Sequence, residues 1–392
     1  MFATLRNNFS PFVNHDEELS LLQIFKPLYV ILSILGLFPQ AIEFSNGKKN
    51  SKVVFKTTKI NLACTLLLAL VIHCFFVLHL LDLRVNSKNS SVTDAEMTAV
   101  SYIIDLITQV LFCTVSYFGV IRDRNLYITI LNAMADCWDK LAKGNRKFIL
   151  GKLRVQVNCV VLGSVLVATL VLKTATYTGS PSIWKMILIG LTFILPEVIQ
   201  FVMIAFYLVM VLMLVALLKN VEEQFRTIMS ARNDVQKYCN TTEFGWDIAM
   251  AEIRDVYVKT MDIKRQINGA FQAPILVALL VSFCEVISTA HMIYHGLTFQ
   301  SNFSMHDTVV CSCWVFNQLL KMYALAHSGS LLRSQVNRIG RAIHKIPASA
   351  DQDIKIFLEV QHFSSLMTFQ DIQITVYGYF LLDATLIFKV SI

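Results

Sequence analysis

The chain is short of charge. Only 16% of its 392 residues are Asp, Glu, Lys or Arg, against 55% hydrophobic residues, a balance that excludes a water-soluble globular fold, whose exterior needs more polar side chains. The opening stretch MFATLRNNFSPFVNHDEELS lacks the basic region, apolar core and small-residue cleavage site of a secretory signal, so the first true span is expected to direct insertion. None of the nine cysteines falls in a loop expected outside the cell, which argues against a disulfide framework. No Gly-rich phosphate loop, nucleophile elbow, paired-carboxylate constellation or His-Glu-x-x-His run is present, so neither an enzyme nor a cofactor is expected. Internal repeats and low-complexity tracts are lacking too.

What remains is apolar and long. Runs able to cross roughly 30 Å of hydrocarbon, about 20 residues of helix, fall at 60–83, 98–121, 155–173, 186–218, 274–295 and 308–330, and a seventh begins near 376. Mean hydropathy is +0.57, and the expected class is an all-α polytopic membrane protein. Residues 24–41, IFKPLYVILSILGLFPQA, are apolar but short and carry Pro27, Gly36 and Pro39; they read as a re-entrant or interfacial helix inside an N-terminal region 1–59, ahead of a seven-span domain 60–392. Of the 34 Lys and Arg, 27 fall in residues 1–23, 42–59, 122–154, 219–273 and 331–371, whereas the opposite loops and flanks hold only Arg84, Lys88, Lys173 and Lys185. Positive loops stay in the cytoplasm, which places the N-terminus inside and, after seven spans, the C-terminus outside. The net charge of +7 then serves anionic lipid and not nucleic acid. Sequons at Asn89 and Asn302 lie outside in this scheme and are the expected glycosylation sites, while those at Asn8 and Asn240 lie inside.

The cytoplasmic loops carry helical periodicity. Tyr127, Ile130, Leu131, Met134, Trp138 and Leu141 share one face, as do Ile253, Val256, Tyr257, Thr260, Ile263 and Ile267. Span four is too long for the bilayer even when tilted, so its end is expected to continue into the cytoplasm. These helices either rest on the membrane surface or form a cytoplasmic anchor.

Ionisable groups in hydrocarbon are costly unless they face protein or water, and therefore mark candidate sites. Span two holds Asp105 and Gln109 one turn apart, and span four holds Glu197 and Gln200 beside Pro196, whose missing N–H frees a carbonyl. Span five holds Glu285, His291 and His295; span six holds Trp314, Asn317, Gln318 and Lys321. The candidate ligand-binding set is Asp105, Gln109, Glu197, Gln200, Trp314, Asn317 and Lys321, in a cavity opening outward with Tyr102, Phe193, Tyr294 and Trp314 as apolar walls. The alternative is that Asp105, Glu285 and Lys321 pair between helices and hold the bundle. His291 and His295 stand at i, i+4, but no third metal ligand is evident, and no metal is expected. Asp123-Arg124-Asn125 reads as membrane-edge charge.

The tail carries a more specific signal. Gly378, Phe380, Leu382, Asp383, Thr385 and Leu386 spell Gly-x-Phe-x-Leu-Asp-x-Thr-Leu after an amphipathic segment. This resembles the C-terminal signature of the insect gustatory receptors; INGAFQAPILVALLVSF at 267–283 and IFKPLYVILSILGLFPQ near the start lie where that family has similar stretches. The resemblance implies a homo- or hetero-tetrameric ligand-gated cation channel in the plasma membrane of a sensory-neuron dendrite. It also implies a small-molecule tastant as ligand and assigns those six tail residues to a pore and gating helix. The family's helix continues to a Thr-Tyr and a terminal Gln-Phe that this sequence does not show, from which a defective or co-receptor-dependent pore is expected. A G-protein-coupled receptor would require the opposite orientation, and a secondary transporter would show paired halves with interrupted helices, which are not found.

Overall fold

A computed structural model describes residues 20–43, 54–56, 59–87, 93–141, 146–177, 183–238, 246–299, 305–344, 354–370 and 373–383. The four sequons at Asn8, Asn89, Asn240 and Asn302, together with Thr385 and Leu386, lie outside those residues. Helices dominate, and the all-α architecture is what the composition required.

The first helix, α1 (Leu21–Ile34), starts at Ser20, whose hydroxyl accepts from the Gln23 N–H at 3.3 Å while Gln23 Oε1 accepts from the Ser20 N–H at 3.2 Å. That reciprocal pair satisfies two donors that a helix start otherwise leaves orphaned. Fourteen residues rise about 21 Å at 1.5 Å per residue, too little to cross the hydrocarbon. The chain leaves through Gly36, whose φ is +65° and where a Cβ would stand 3.1 Å from the Thr65 Cα. Thr65 also donates to the Gly36 carbonyl at 2.8 Å, so both backbone conformation and space demand glycine there. Two short antiparallel strands follow, β1 (Ala41–Glu43) and β2 (Val54–Lys56).

The bundle comprises α2 (Lys59–Ser87), α3 (Thr93–Arg122), α4 (Arg124–Lys140), α5 (Arg146–Tyr177), α6 (Ile183–Ile189) running through a π-helical turn (Gly190–Ile194) into α7 (Leu195–Tyr238), α8 (Trp246–Phe299) and α9 (Met305–His344). Among the described residues six helical segments are long and apolar enough to cross a membrane. In the continuous α6–α7 segment 89% of the most apolar window is buried, against 17% in α2 and in α5. The former is therefore the central post, and the latter two present Leu67, Leu70, Leu162 and Leu166 outward, as lipid-facing helices must.

Helices α7, α8 and α9 extend beyond any bilayer, at 44, 54 and 40 residues. The periodic residues of the expected loop helices are buried there: Tyr127, Ile130, Leu131, Met134, Trp138 and Leu141 on α4 and its end, and Ile253, Val256, Tyr257, Thr260, Ile263 and Ile267 on the lower part of α8. The second set is not a separate helix but the continuation of span five. At this level Tyr127, Phe206 and Phe271 pack with centroids 5.0 to 5.5 Å apart and take in Phe25 and Phe38 from the α1 region. Burial pushes the Cys137 thiol up from its ordinary range, which makes it inert; all eight described cysteines are free.

Helix α10 (Ile354–Phe369) docks through Phe363, 4.9 Å from Tyr257 and 5.2 Å from Phe225, with Arg254 bonded to Glu359. The tail departs from expectation. A seventh helical span does not start at Val376; instead β3 (Thr375–Val376) pairs with β4 (Phe380–Leu381) in a hairpin. The turn places Tyr377 at φ 50° and Gly378 at φ 75°, with the Tyr379 N–H donating to the Val376 carbonyl at 3.0 Å. Two successive left-handed residues make a hairpin turn and end any helix.

Candidate functional site

The site grows from helix spacing. Asp105 and Gln109 lie one turn apart on α3, Glu197 and Gln200 one turn apart on α7, and Gln318 and Lys321 one turn apart on α9, while Glu285 comes from α8. Residues three or four apart share a helix face, so each helix presents its pair inward. Gln109, Glu197, Gln200, Glu285, Gln318 and Lys321 are all at most 3% exposed.

They form one bonded cluster. Lys321 Nζ sits 2.6 Å from Glu197 Oε1 and also donates to Gln200 Oε1. Gln318 Nε2 donates to Glu197 Oε1 at 3.0 Å and to Glu285. Gln109 Nε2 reaches Glu285 and, at 3.5 Å, Glu197 Oε2. The Lys321 ammonium stands 4.8 Å from the centre of the Phe201 ring, a further favourable contact for a cation. Asp105 lies one turn nearer the start of α3, half-buried, and accepts from Ser288 Oγ at 2.8 Å. In a low-dielectric interior such bonds are strong, and any unpartnered atom is costly. Three atoms have no partner: Gln109 Oε1, Gln318 Oε1 and Gln200 Nε2.

Of the seven candidate ligand-binding residues, Gln109, Glu197, Gln200 and Lys321 meet in the cluster. Asp105 borders it. Asn317 is buried on the same helix as Lys321, and Trp314 is half-buried one turn nearer the start of α9, both outside the hydrogen-bonded set. Gln318 and Glu285, recognised as polar groups within spans but left out of the ligand-binding set, are the bridging members.

A second group joins α2, α3 and the π-helical turn. His79 of α2 contacts Thr192 Oγ1 through Nδ1 at 2.7 Å and the Tyr102 hydroxyl through Nε2 at 3.0 Å. Its ring packs on Tyr102 and Phe193, which are 4.9 Å from each other. Tyr102 and Phe193 were legible as apolar walls; His79 and Thr192 were not singled out, although the rule that flagged Asp105 applies equally to a histidine inside a span. Thr192 belongs to the π-helical turn, where the Leu195 N–H bonds five residues back to Gly190. Pro196 cannot donate to the Thr192 carbonyl, and the wider turn is the local answer to that missing bond. π-turns of this kind frequently mark functional positions. His291 and His295 stack at 6.1 Å, and no group of three metal-ligating side chains occurs among the described residues.

Further along α9, beyond Lys321, the tail docks. A Cβ on Gly329 would lie 1.7 Å from the Leu382 carbonyl oxygen, so the Leu382 backbone sits directly on the helix. Leu382 is buried, Phe380 is exposed, and Asp383 faces Arg333 at 3.8 Å. Of the six tail residues expected in a pore helix, Gly378 and Phe380 are thus in this hairpin, and Leu382 and Asp383 directly follow it.

No curated protein matches the sequence. The fold is similar to the insect olfactory receptor OR5 from Machilis hrabei, at 12% identity with a TM-score of 0.66 over 95% of each chain, and to the same receptor in complex with eugenol, with a TM-score of 0.67 over the same shares. Residues 25–392 match the profile of the 7tm chemosensory receptors. The chain is a multi-pass membrane receptor, not an enzyme, and belongs to the 7tm chemosensory receptor family.

Proposed function

We propose that the chain is a gustatory receptor subunit of a ligand-gated cation channel, assembling as a homo- or hetero-tetramer in the plasma membrane of sensory dendrites and opened by a small molecule bound in the outer half of the bundle. The observation that carries this reading is the buried cluster, which ties α3, α7, α8 and α9 together through Lys321–Glu197 and the bridging glutamines. A ligand that rearranges those bonds shifts α9, and α9 holds the tail at Gly329 and Arg333. Such coupling works only if the ligand binds the open arrangement better than the closed one. The tail motif supports the gustatory assignment, and the eugenol complex of OR5 supports a small organic ligand for a protein of this shape.

The test is co-expression of the full chain with candidate partner receptors in cells, recording currents across a panel of small molecules. Ligand-evoked current that Gln109→Ala shifts in concentration, with surface delivery intact, is the expected result. Currents indifferent to every change in the cluster would overturn the placement of the ligand.

A further inference from the structure

We propose that the cluster selects ligands carrying a protonated amine; this rests on the ligand site assigned above. The cluster is short of donors and of positive charge. The Lys321 ammonium is committed to Glu197 and Gln200, while Glu285 is met by the amide N–H groups of Gln109 and Gln318 and Asp105 by the Ser288 hydroxyl, neither with an ion-pair partner among the described residues. The two bridging glutamines spend their N–H groups on the carboxylates, which leaves Gln109 Oε1 and Gln318 Oε1 buried without a donor. An acceptor left so carries an unrecovered desolvation cost.

One chemical group answers both shortages. A primary or secondary ammonium brings two or three N–H donors and a unit charge, and bonds to carboxylates are strengthened by that charge. A neutral alcohol brings one donor and no charge, and a carboxylate ligand adds to the excess already there. Aromatic rings adjoin the cluster for the body of the ligand: Tyr102 lies one turn before Asp105 on α3 and packs on Phe193 with centroids 4.9 Å apart, rings suited to an apolar or aromatic group. The orphaned donor, Gln200 Nε2, suits a hydroxyl or carbonyl on the same ligand.

The experiment uses the full chain in lipid-detergent micelles at pH 7 and follows thermal unfolding against 2-phenylethylamine and its neutral isostere 2-phenylethanol. The amine is expected to act at a concentration lower by roughly tenfold or more, and Asp105→Asn and Glu285→Gln should each remove that preference. Asp105→Asn is the gentler change, because the side chain is half-buried and keeps an acceptor for Ser288, so it decides the matter if Glu285→Gln fails to fold. Equal action of the two probes, action of neither, or a preference that persists in both variants overturns the ammonium assignment. Stabilisation by sodium, in place of tetramethylammonium, that matches the amine also overturns it, since an inorganic ion then fills the site. If a neutral molecule evokes current that Gln109→Ala abolishes, the ligand site stands and only the amine class falls; if no ligand response depends on the cluster, both fall.

Discussion

Lys321 and Glu197 form an ion pair at 2.6 Å in which neither side chain has any exposure. Removing one member of such a pair leaves a buried charge without its counter-charge, which costs about 3–5 kcal/mol, whereas replacing both by apolar or neutral groups is often close to neutral. Lys321→Met is therefore expected to lower the thermal stability of the purified chain and its delivery to the cell surface sharply. Adding Glu197→Gln should restore most of both. A double variant no better than Lys321→Met alone would show that the ammonium serves Gln200 and Phe201 more than Glu197.

His79 is expected to hold the π-turn in register. It bonds to Thr192 at 2.7 Å and to Tyr102 at 3.0 Å, and a single neutral hydrogen bond contributes about 0.5–1.5 kcal/mol. Tyr102→Phe, which keeps the ring against Phe193, should move the half-maximal ligand concentration by no more than about tenfold. His79→Leu removes both bonds and should move it further. Identical dose–response curves for wild type and His79→Leu would separate this group from the ligand site.

Gly329 should matter more than Arg333 for the tail. The Arg333–Asp383 pair spans 3.8 Å with the arginine 54% exposed, and exposed pairs contribute roughly 0–1 kcal/mol. A methyl on Gly329, by contrast, would overlap the Leu382 carbonyl at 1.7 Å, and backbone cannot rotate away as a side chain can. Hydrogen exchange over residues 375–383 should rise strongly in Gly329→Ala and little in Arg333→Ala. Equal exchange in both variants would mean that the hairpin is held from elsewhere.

Much of this was legible in the sequence because burial leaves a period. Tyr127 to Trp138 and Ile253 to Ile267 repeat at helical spacing, and every one of those apolar positions is inside. The polar members of the site were legible by cost alone, since Gln109, Glu197, Gln200 and Lys321 have no place in hydrocarbon without partners. What spacing could not give was the partnership: that Gln318 and Glu285 close the cluster depends on the rotation of α8 and α9 about their axes. The hairpin at 375–381 was hidden by composition, because YFLLDATLIF reads as a span until Gly378 and Tyr377 are seen in left-handed conformations. The π-turn had a visible cause in Pro196, but a proline shows where a bond is lost and not how the helix compensates.

Orientation in the membrane follows from charge alone. With 27 of 34 basic residues in one set of loops, the positive-inside rule puts Arg124 to Arg154, Lys219 to Arg265 and Arg333 to Lys355 in the cytoplasm. The long extensions of α7, α8 and α9 and the whole of α4 and α10 then project inward, while the cluster at Gln109 and Glu285 faces the outer half. Glycan addition should accordingly occur at Asn89 and Asn302 and not at Asn240, read as mobility shifts lost in Asn89→Gln and Asn302→Gln and unaltered in Asn240→Gln. An epitope tag at the N-terminus should stain only after permeabilisation. Staining of intact cells would invert the bundle, turn the ligand cluster toward the cytoplasm and favour a G-protein-coupled arrangement over a channel.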